Sequence, residues 1–383
     1  MTAKRFYNLD GLRFFAAIFV VLGHAEIIKE KFGLPSFYQT PFFSNAGPIA
    51  VTFFFVLSGF LITYLLLIEK QQCQPGKRIN IFRFYKNRML RIWPLYYSLL
   101  LLIFFVFPFI PLFQYPGYDG SFPKNELTAL GYYLGFMPNF ADHNFGNVLY
   151  FGQTWSLGVE EFFYLCFPVG LYLLPYKKLL PFFVALTAVS IAITGISKNW
   201  CNGNDTGLSM LCIYISRYKI YAFAAGAIAA YGYLQAPEIK VVQTQKKLIG
   251  KMAILLFIIM LALVLSGTSF GMFTHLIYTV LFAGFLFGAT VSNIKLHLLN
   301  NAMVVYAGKI SYGIYMLHPL AIVLCVKLLY INTGNAIITT LLFSASTIMV
   351  TIIMAMISYA VIEKPFLYRK KLTLIQHINT TAN

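Results

Sequence analysis

The sequence predicts an all-α, polytopic integral membrane helix bundle of about ten transmembrane helices, with both termini in the cytoplasm. Three observations predict it. The chain is 59% hydrophobic and only 11% charged, with mean hydropathy +0.72, whereas soluble domains carry about 25% charged residues. Its apolar residues gather into stretches near the ~20 residues needed to cross a bilayer. Its Lys and Arg residues, which give a net charge of +17, fall in alternate loops between those stretches.

The apolar stretches run over 12–28, 49–68, 92–112, 154–174, 179–197, 214–233, 251–268, 272–291, 308–330 and 336–361. Cytoplasmic loops are enriched in Lys and Arg, which orients the set. Lys70, Lys77, Arg78, Arg83, Lys86, Arg88 and Arg91 share the 69–91 loop, and Lys177 and Lys178 share the 175–178 turn. Lys240, Lys246, Lys247 and Lys251 mark the 234–251 loop, and Arg369, Lys370 and Lys371 begin the tail. One threading puts all of these inside and leaves 29–48, 113–153 and 198–213 outside. In a soluble protein such a charge would raise nucleic acid as a partner; here it reads as membrane orientation, with no nucleic acid expected. An aromatic fraction of 17%, with many Tyr and Phe at segment ends, suits interfacial belts.

The domain reading is one transmembrane domain over 1–371 and a short cytoplasmic tail over 372–383. Lys4 and Arg5 precede the first apolar run without a convincing cleavage site, so that run reads as a retained helix. Leu127 to Phe140 is apolar but too short to cross, which predicts a re-entrant or interfacial helix within the long outer segment. Of five cysteines, Cys73, Cys166 and Cys325 read as inert. Cys201 and Cys212 share an outer loop, where the sequence leaves a disulfide open.

Charges in lipid are costly and usually functional. Of twelve acidic residues, Glu160 and Glu161 alone read as lying well within a crossing. Arg217 falls in or near the outer end of the sixth segment, and His24 and His318 sit in apolar runs. Arg13 and His24 are eleven residues apart, about three turns, and so share one helix face with a rise of about 16 Å. Ser156 and Glu160 share a face at i, i+4, and Ser311, Tyr315 and His318 share another at i, i+4, i+7. Three polar stripes predict an internal wet cavity. Arg88 and Arg91, at i, i+3 before Trp93-Pro94, present two guanidinium groups suited to bidentate phosphate binding. No metal set is evident.

Several stretches together resemble the acyltransferase 3 family of membrane O-acyltransferases, which includes O-antigen O-acetylases. They are Leu9-Asp10-Gly11-Leu12-Arg13 running to His24, Phe54-Phe55-Val56-Leu57-Ser58-Gly59-Phe60, and Arg88-Met89-Leu90-Arg91-Ile92-Trp93-Pro94. Thr154-Trp155-Ser156-Leu157-Gly158-Val159-Glu160-Glu161-Phe162-Phe163-Tyr164 follows, then Arg217 with Gly226. Ser311-Tyr312-Gly313-Ile314-Tyr315-Met316-Leu317-His318-Pro319 and Ile362-Glu363-Lys364-Pro365-Phe366 complete the set. Gly158 stands where the family commonly has Ser, and Lys364 where it commonly has Arg. The resemblance places residue 383 soon after the family's membrane domain, so the extracytoplasmic hydrolase-like domain of some relatives is not expected in this chain.

The resemblance implies acyl-CoA, with acetyl favoured, as a cytoplasmic donor substrate rather than a bound cofactor. It implies a sugar hydroxyl as acceptor, on a surface polysaccharide or glycolipid, and essential roles for Arg13, His24, Arg88 and Arg91. It places the protein in the cell (inner or plasma) membrane. The expected roles follow. His24 is the base, Glu160 orients it or forms a structural ion pair with Arg217, Arg13 holds the donor or polarises its thioester, and Arg88 and Arg91 bind its phosphates. Arg217 pairs with Glu160 or Glu161 or binds acceptor. Ser58 is a packing residue beside Gly59 or a nucleophile. Ser311, Tyr315 and His318 are supporting residues or interhelical hydrogen-bond partners. The alternative is a multi-pass transporter of a small polar or acylated metabolite, since polar stripes also describe a substrate pathway; the cytoplasmic Arg pair has no place in it.

Overall fold

The computed structural model describes residues 6–73, 78–116, 126–145, 148, 150–200, 218–294 and 296–368. All regular structure among them is helical. The longer elements are α1 (Tyr7–Lys31), α2 (Pro41–Gln72), α3 (Ile81–Phe105), α4 (Glu126–Leu134), α5 (Pro138–Phe145), α6 (Trp155–Leu173), α7 (Leu179–Trp200), α8 (Ile220–Gln235), α9 (Lys246–Leu265), α10 (Thr274–Val291), α11 (Ser311–Leu328) and α12 (Ala336–Ser358). Nine helices among the described residues are long and apolar enough to cross a membrane, so the chain is a multi-pass membrane helix bundle. The sixth predicted stretch, 214–233, begins outside the described residues. Its described part, α8, has 16 residues, about 24 Å of helix against a hydrocarbon core of about 30 Å.

The described residues form two compact units. The first comprises residues 1–16, 40–79 and 159–301. Its centre is α2, opened by Pro41 at the first helical position, where the missing N–H leaves no intrahelical bond unmade. An almost unbroken apolar run, Ile49 to Ile68, lets α2 bury nearly its whole circumference. Its closest neighbour is α8, and two glycines set that distance. A Cβ on Gly59 would lie 2.0 Å from the Phe223 carbonyl oxygen, and one on Gly226 would lie 2.0 Å from that of Val56. Each helix thus presents its backbone where the other has no side chain. Phe55, Phe223 and Phe163 stack beside this crossing, with ring centroids 4.6 and 4.2 Å apart. At the other end of α2, the Lys70 ammonium donates to the Leu171 and Leu174 carbonyls, the latter at 2.7 Å. A cation there satisfies the carbonyls orphaned at the end of α6 and suits its dipole.

The second unit comprises residues 17–39, 80–158 and 302–383. Here α11 packs along α12, and α3 is joined to α11 where the Tyr312 hydroxyl donates to the Ile92 carbonyl at 2.8 Å. The predicted apolar segment around 127–140 forms two short helices, α4 and α5, which meet at Phe136 with φ of 56°. They are held to α3 by Tyr96, whose hydroxyl donates to the Tyr133 carbonyl at 2.7 Å and whose ring stacks on Phe136 at 4.1 Å. Burial raises the Tyr133 phenol above its ordinary range, so it stays a neutral donor to Asp142 at 2.9 Å.

Two acidic residues read as lying in loops or at segment ends, Glu26 and Glu363, are buried within helical structure. Helix α1 continues to Lys31, which buries Glu26 and Lys29 completely. Their ion pair, at 2.8 Å, lets the helix carry both charges where either alone would end it. Glu26 also accepts from the Phe37 backbone N–H at 2.6 Å, and Lys29 donates to Thr340 at 2.9 Å. Glu363, 3% exposed, lies on a π turn over Tyr359–Glu363 that continues α12.

Gly158 has a packing reason. A Cβ there would stand 2.8 Å from Pro138 Cδ and 3.0 Å from the Phe136 carbonyl oxygen. A proline ring cannot rotate away, so Gly158→Ser is expected to destabilise the protein by about 1–3 kcal/mol, the ordinary cost of overpacking. A melting curve of the purified protein in detergent checks this, and an unchanged transition would mean that α5 yields freely.

Candidate active site

The residues of α1 bring two of the predicted groups onto one helix. Arg13 sits near its N-terminal end, where its Nη1 meets Asp10 Oδ1 at 3.3 Å. Asp10, in the first turn, also suits the positive end of the helix dipole. Three turns on, His24 is half-buried. Its Nδ1 lies 2.8 Å from Nε2 of His318 on α11, with the two rings 4.9 Å apart and 16° from parallel.

His318 is fully buried, and its Nδ1 lies 2.7 Å from the Tyr315 carbonyl oxygen. The Tyr315 side chain extends the network. Its hydroxyl lies 2.7 Å from the Gln153 carbonyl oxygen and 2.6 Å from the Ser156 hydroxyl, which itself reaches that carbonyl at 3.4 Å. Gln153 in turn donates through its amide to the Met316 carbonyl at 3.2 Å. A polar chain therefore runs within the second unit from Ser156 through Tyr315 to the two histidines. Ser311 is buried at the first residue of α11, about two turns from His318, and no described hydrogen bond joins it to this chain.

Glu160 belongs to a different cluster, in the first unit. Its Oε1 accepts from Ser58 at 3.3 Å and its Oε2 from Tyr164 at 2.6 Å, and Ser58 and Tyr164 are themselves 3.3 Å apart. The shared face of Ser156 and Glu160 is present on α6, yet the two residues take partners in different units. On His24, Nδ1 is engaged by an imidazole rather than a carboxylate. Arg217, Cys201 and Cys212 lie outside the described residues, as does the tail.

Arg88 and Arg91 lie inside α3, further into the helix than a segment beginning at residue 92 implies. The Arg88 guanidinium sits 5.5 Å from the centre of the Phe84 ring. Arg91 is within electrostatic reach of the buried Glu363 carboxylate, which also touches the space that a Cβ on Gly313 would fill, at 3.4 Å. Chemically, a half-accessible imidazole with one nitrogen engaged is equipped to take a proton. Paired guanidinium groups are equipped to hold phosphate oxygens. Among the described residues no group of three or more His, Cys, Asp or Glu is placed to hold a metal ion.

Gln153 is a participant absent from the sequence reading, and Tyr164 and Glu363 stand in the resembling stretches without an assigned role. Tyr164 was legible as the i+4 neighbour of Glu160. Gln153 acts mainly through its backbone carbonyl, which no side-chain pattern reveals.

Comparison with known proteins bears on this arrangement. The profile of the acyltransferase domain family, Acyl_transf_3, matches residues 6–359. The O-acetyltransferase OatA of Staphylococcus aureus (strain NCTC 8325 / PS 47) is 26% identical over 391 residues, covering 95% of this chain and 57% of that protein. The peptidoglycan O-acetyltransferase OatA of Listeria monocytogenes serovar 1/2a is 26% identical over 376 residues, covering 94% of this chain and 55% of its own length. An uncharacterized protein of Haemophilus influenzae is 35% identical over 130 residues, 33% of this chain and 49% of that protein. The chain thus spans a little over half the length of the two O-acetyltransferases. No solved structure matches it. With a profile that runs from the first described residue into the end of α12, and takes in His24, the Arg88–Arg91 pair, Glu160 and His318, the chain belongs to the acyltransferase 3 family.

Proposed function

We propose that the protein is a membrane-bound O-acyltransferase of the cell membrane. It moves an acetyl group from cytoplasmic acetyl-CoA to a hydroxyl of an extracytoplasmic carbohydrate of the cell envelope. The observation that carries this reading is His24, a half-accessible histidine on a membrane helix whose Nδ1 is already engaged at 2.8 Å, leaving its other nitrogen for chemistry. The Listeria relative's name, peptidoglycan O-acetyltransferase, supports a peptidoglycan-like acceptor.

In this reading the free nitrogen of His24 takes the proton of the acceptor hydroxyl, and the hydroxyl oxygen attacks the thioester carbonyl carbon. The carbon–sulfur bond breaks, and the CoA thiolate leaves and recovers the proton from His24. The acetyl group ends as an ester on the sugar. Arg88 and Arg91 bind the donor's phosphates, and Arg13 steadies its arm along α1. The Ser58–Glu160–Tyr164 cluster orders α2 against α6. Arg217 pairs with Glu160 or Glu161 or binds acceptor.

Mass spectrometry of surface glycans tests the reading in a deletion strain and in that strain carrying the gene. An acetyl mass increment lost on deletion and restored by the gene supports it. Unchanged glycans, together with no release of thiol from acetyl-CoA by the purified protein, would reject it. Within it, Arg88→Ala and Arg91→Ala are each expected to raise KM for acetyl-CoA about tenfold or more, since a hydrogen bond to a charged group is worth about 1.5–3 kcal/mol. Little change in kcat is expected. Steady-state kinetics over donor concentration checks this; unaltered KM in both would make the pair a membrane anchor.

A further inference from the structure

Resting on the reading of His24 as the base, we propose that His318 is a positioning residue that fixes which nitrogen of His24 is basic, and that Pro319 fixes His318. Proline has no N–H, so α11 cannot satisfy the carbonyl four residues before Pro319, which is that of Tyr315. Buried carbonyls are seldom left unpaired. His318 Nδ1 lies 2.7 Å from this one, and a carbonyl only accepts, so Nδ1 of His318 carries the hydrogen.

The second nitrogen follows from burial. His318 is 0% exposed, and no carboxylate pairs with it among the described residues. A doubly protonated ring would be a buried charge without a counter-charge, which is costly. The ring is therefore neutral, with its lone pair on Nε2. That lone pair faces Nδ1 of His24 at 2.8 Å. Two lone pairs cannot bond, so His24 carries its hydrogen on Nδ1, and its own lone pair falls on Nε2. No described residue occupies Nε2, and His24 is the more accessible ring of the pair. When Nε2 takes the acceptor's proton, the Nδ1–H bond to His318 becomes charge-assisted and strengthens. No proton has to travel along the pair. His318 thus does what the third member of a catalytic triad does for its histidine, and there a wrong tautomer costs about 10⁴ in rate. A bland alternative is that His318 only fills space.

Two variants separate these. His318→Gln keeps an amide oxygen to accept from His24 and an amide N–H for Tyr315, whereas His318→Leu keeps volume and neither function. The tautomer is read by 15N NMR on histidine-labelled full-length protein in lipid bilayers, with His24 signals assigned by their loss in His24→Ala. The hydrogen is expected on Nδ1 of His24 in the wild type and in His318→Gln, and not in His318→Leu. The rate of surface-glycan acetylation is expected to fall about 10²-fold or more in His318→Leu and to recover to within about tenfold of wild type in His318→Gln. A wild-type His24 with its hydrogen on Nε2 overturns the proposal whether or not any variant folds. So do Leu and Gln variants alike in both tautomer and rate. If His24→Ala leaves acetylation intact, the base reading falls, while the NMR result still decides the tautomer by itself.

Discussion

His24→Ala is expected to abolish acetyl transfer, with the protein still present in the membrane at its normal level. A positioned base contributes about 10²–10⁴ in rate, which is roughly 3–5 kcal/mol of barrier. The stability term is smaller. Removing the imidazole leaves His318 Nε2 without the ring nitrogen that faces it at 2.8 Å, a loss of about 1–3 kcal/mol when a buried group goes unpaired. The first effect exceeds the second, but both point the same way, so the measurement must separate them. Acetyl groups on surface glycans, protein amount in the membrane fraction and a detergent melting curve are read on one set of strains. Lost acetylation with normal amount and a melting shift of a few degrees is the expected result. Acetylation that persists at a tenth of wild type or more would remove His24 as the base. Acetylation lost only in proportion to protein amount would make it a structural histidine.

Much of this arrangement is legible in the sequence. Where it is not, the reason is physical. The helical period places Arg13 and His24 on one helix, and Tyr315 and His318 on one turn, because those relations are local. It does not say which helix a face will meet. Ser156 and Glu160, one turn apart on α6, go to partners in different units, a distinction that i, i+4 spacing cannot make. Glu26 and Lys29 look like the end of a crossing because each alone is costly in lipid. Together they neutralise one another at 2.8 Å, and the helix runs on. Glu363 is a second buried carboxylate, and the Arg91 within its electrostatic reach lies far away in sequence. Charge alternation in the loops is long-range too, yet readable, because the bilayer imposes a single rule on every loop at once. Pro319 is a middle case. Its missing N–H is visible in the sequence, and so is the carbonyl it orphans, but that His318 answers it appears only in three dimensions.

The glycine crossing of the first unit gives the largest expected effect on the fold itself. Gly59 and Gly226 each face the backbone of the opposite helix, and a Cβ on either would stand 2.0 Å from a carbonyl oxygen. A flexible side chain could move aside; a backbone carbonyl in the middle of a helix moves only with its helix. Gly226→Leu or Gly59→Leu must therefore push α2 and α8 apart. Helices in lipid have no hydrophobic force of their own to hold them at a wider spacing, and close packing is most of what joins them. Ordinary overpacking costs about 1–3 kcal/mol. Here the insertion also separates the stacked Phe55 and Phe223 rings, 4.6 Å apart, and disturbs Ser58, which donates to Glu160 at 3.3 Å. The expected result is failure to accumulate in the membrane, or a protein that is extracted but aggregates on size-exclusion chromatography. Gly131→Ala is the control, since a Cβ there meets nothing within 4 Å and should leave amount and elution unchanged. The order of severity is then Leu above Ala at Gly59 and Gly226, with both above Gly131→Ala. If Gly59→Ala and Gly226→Ala accumulate and elute like the wild type, the two helices are not joined by backbone approach, and the Gly59-Phe60 stretch owes its presence to something other than packing.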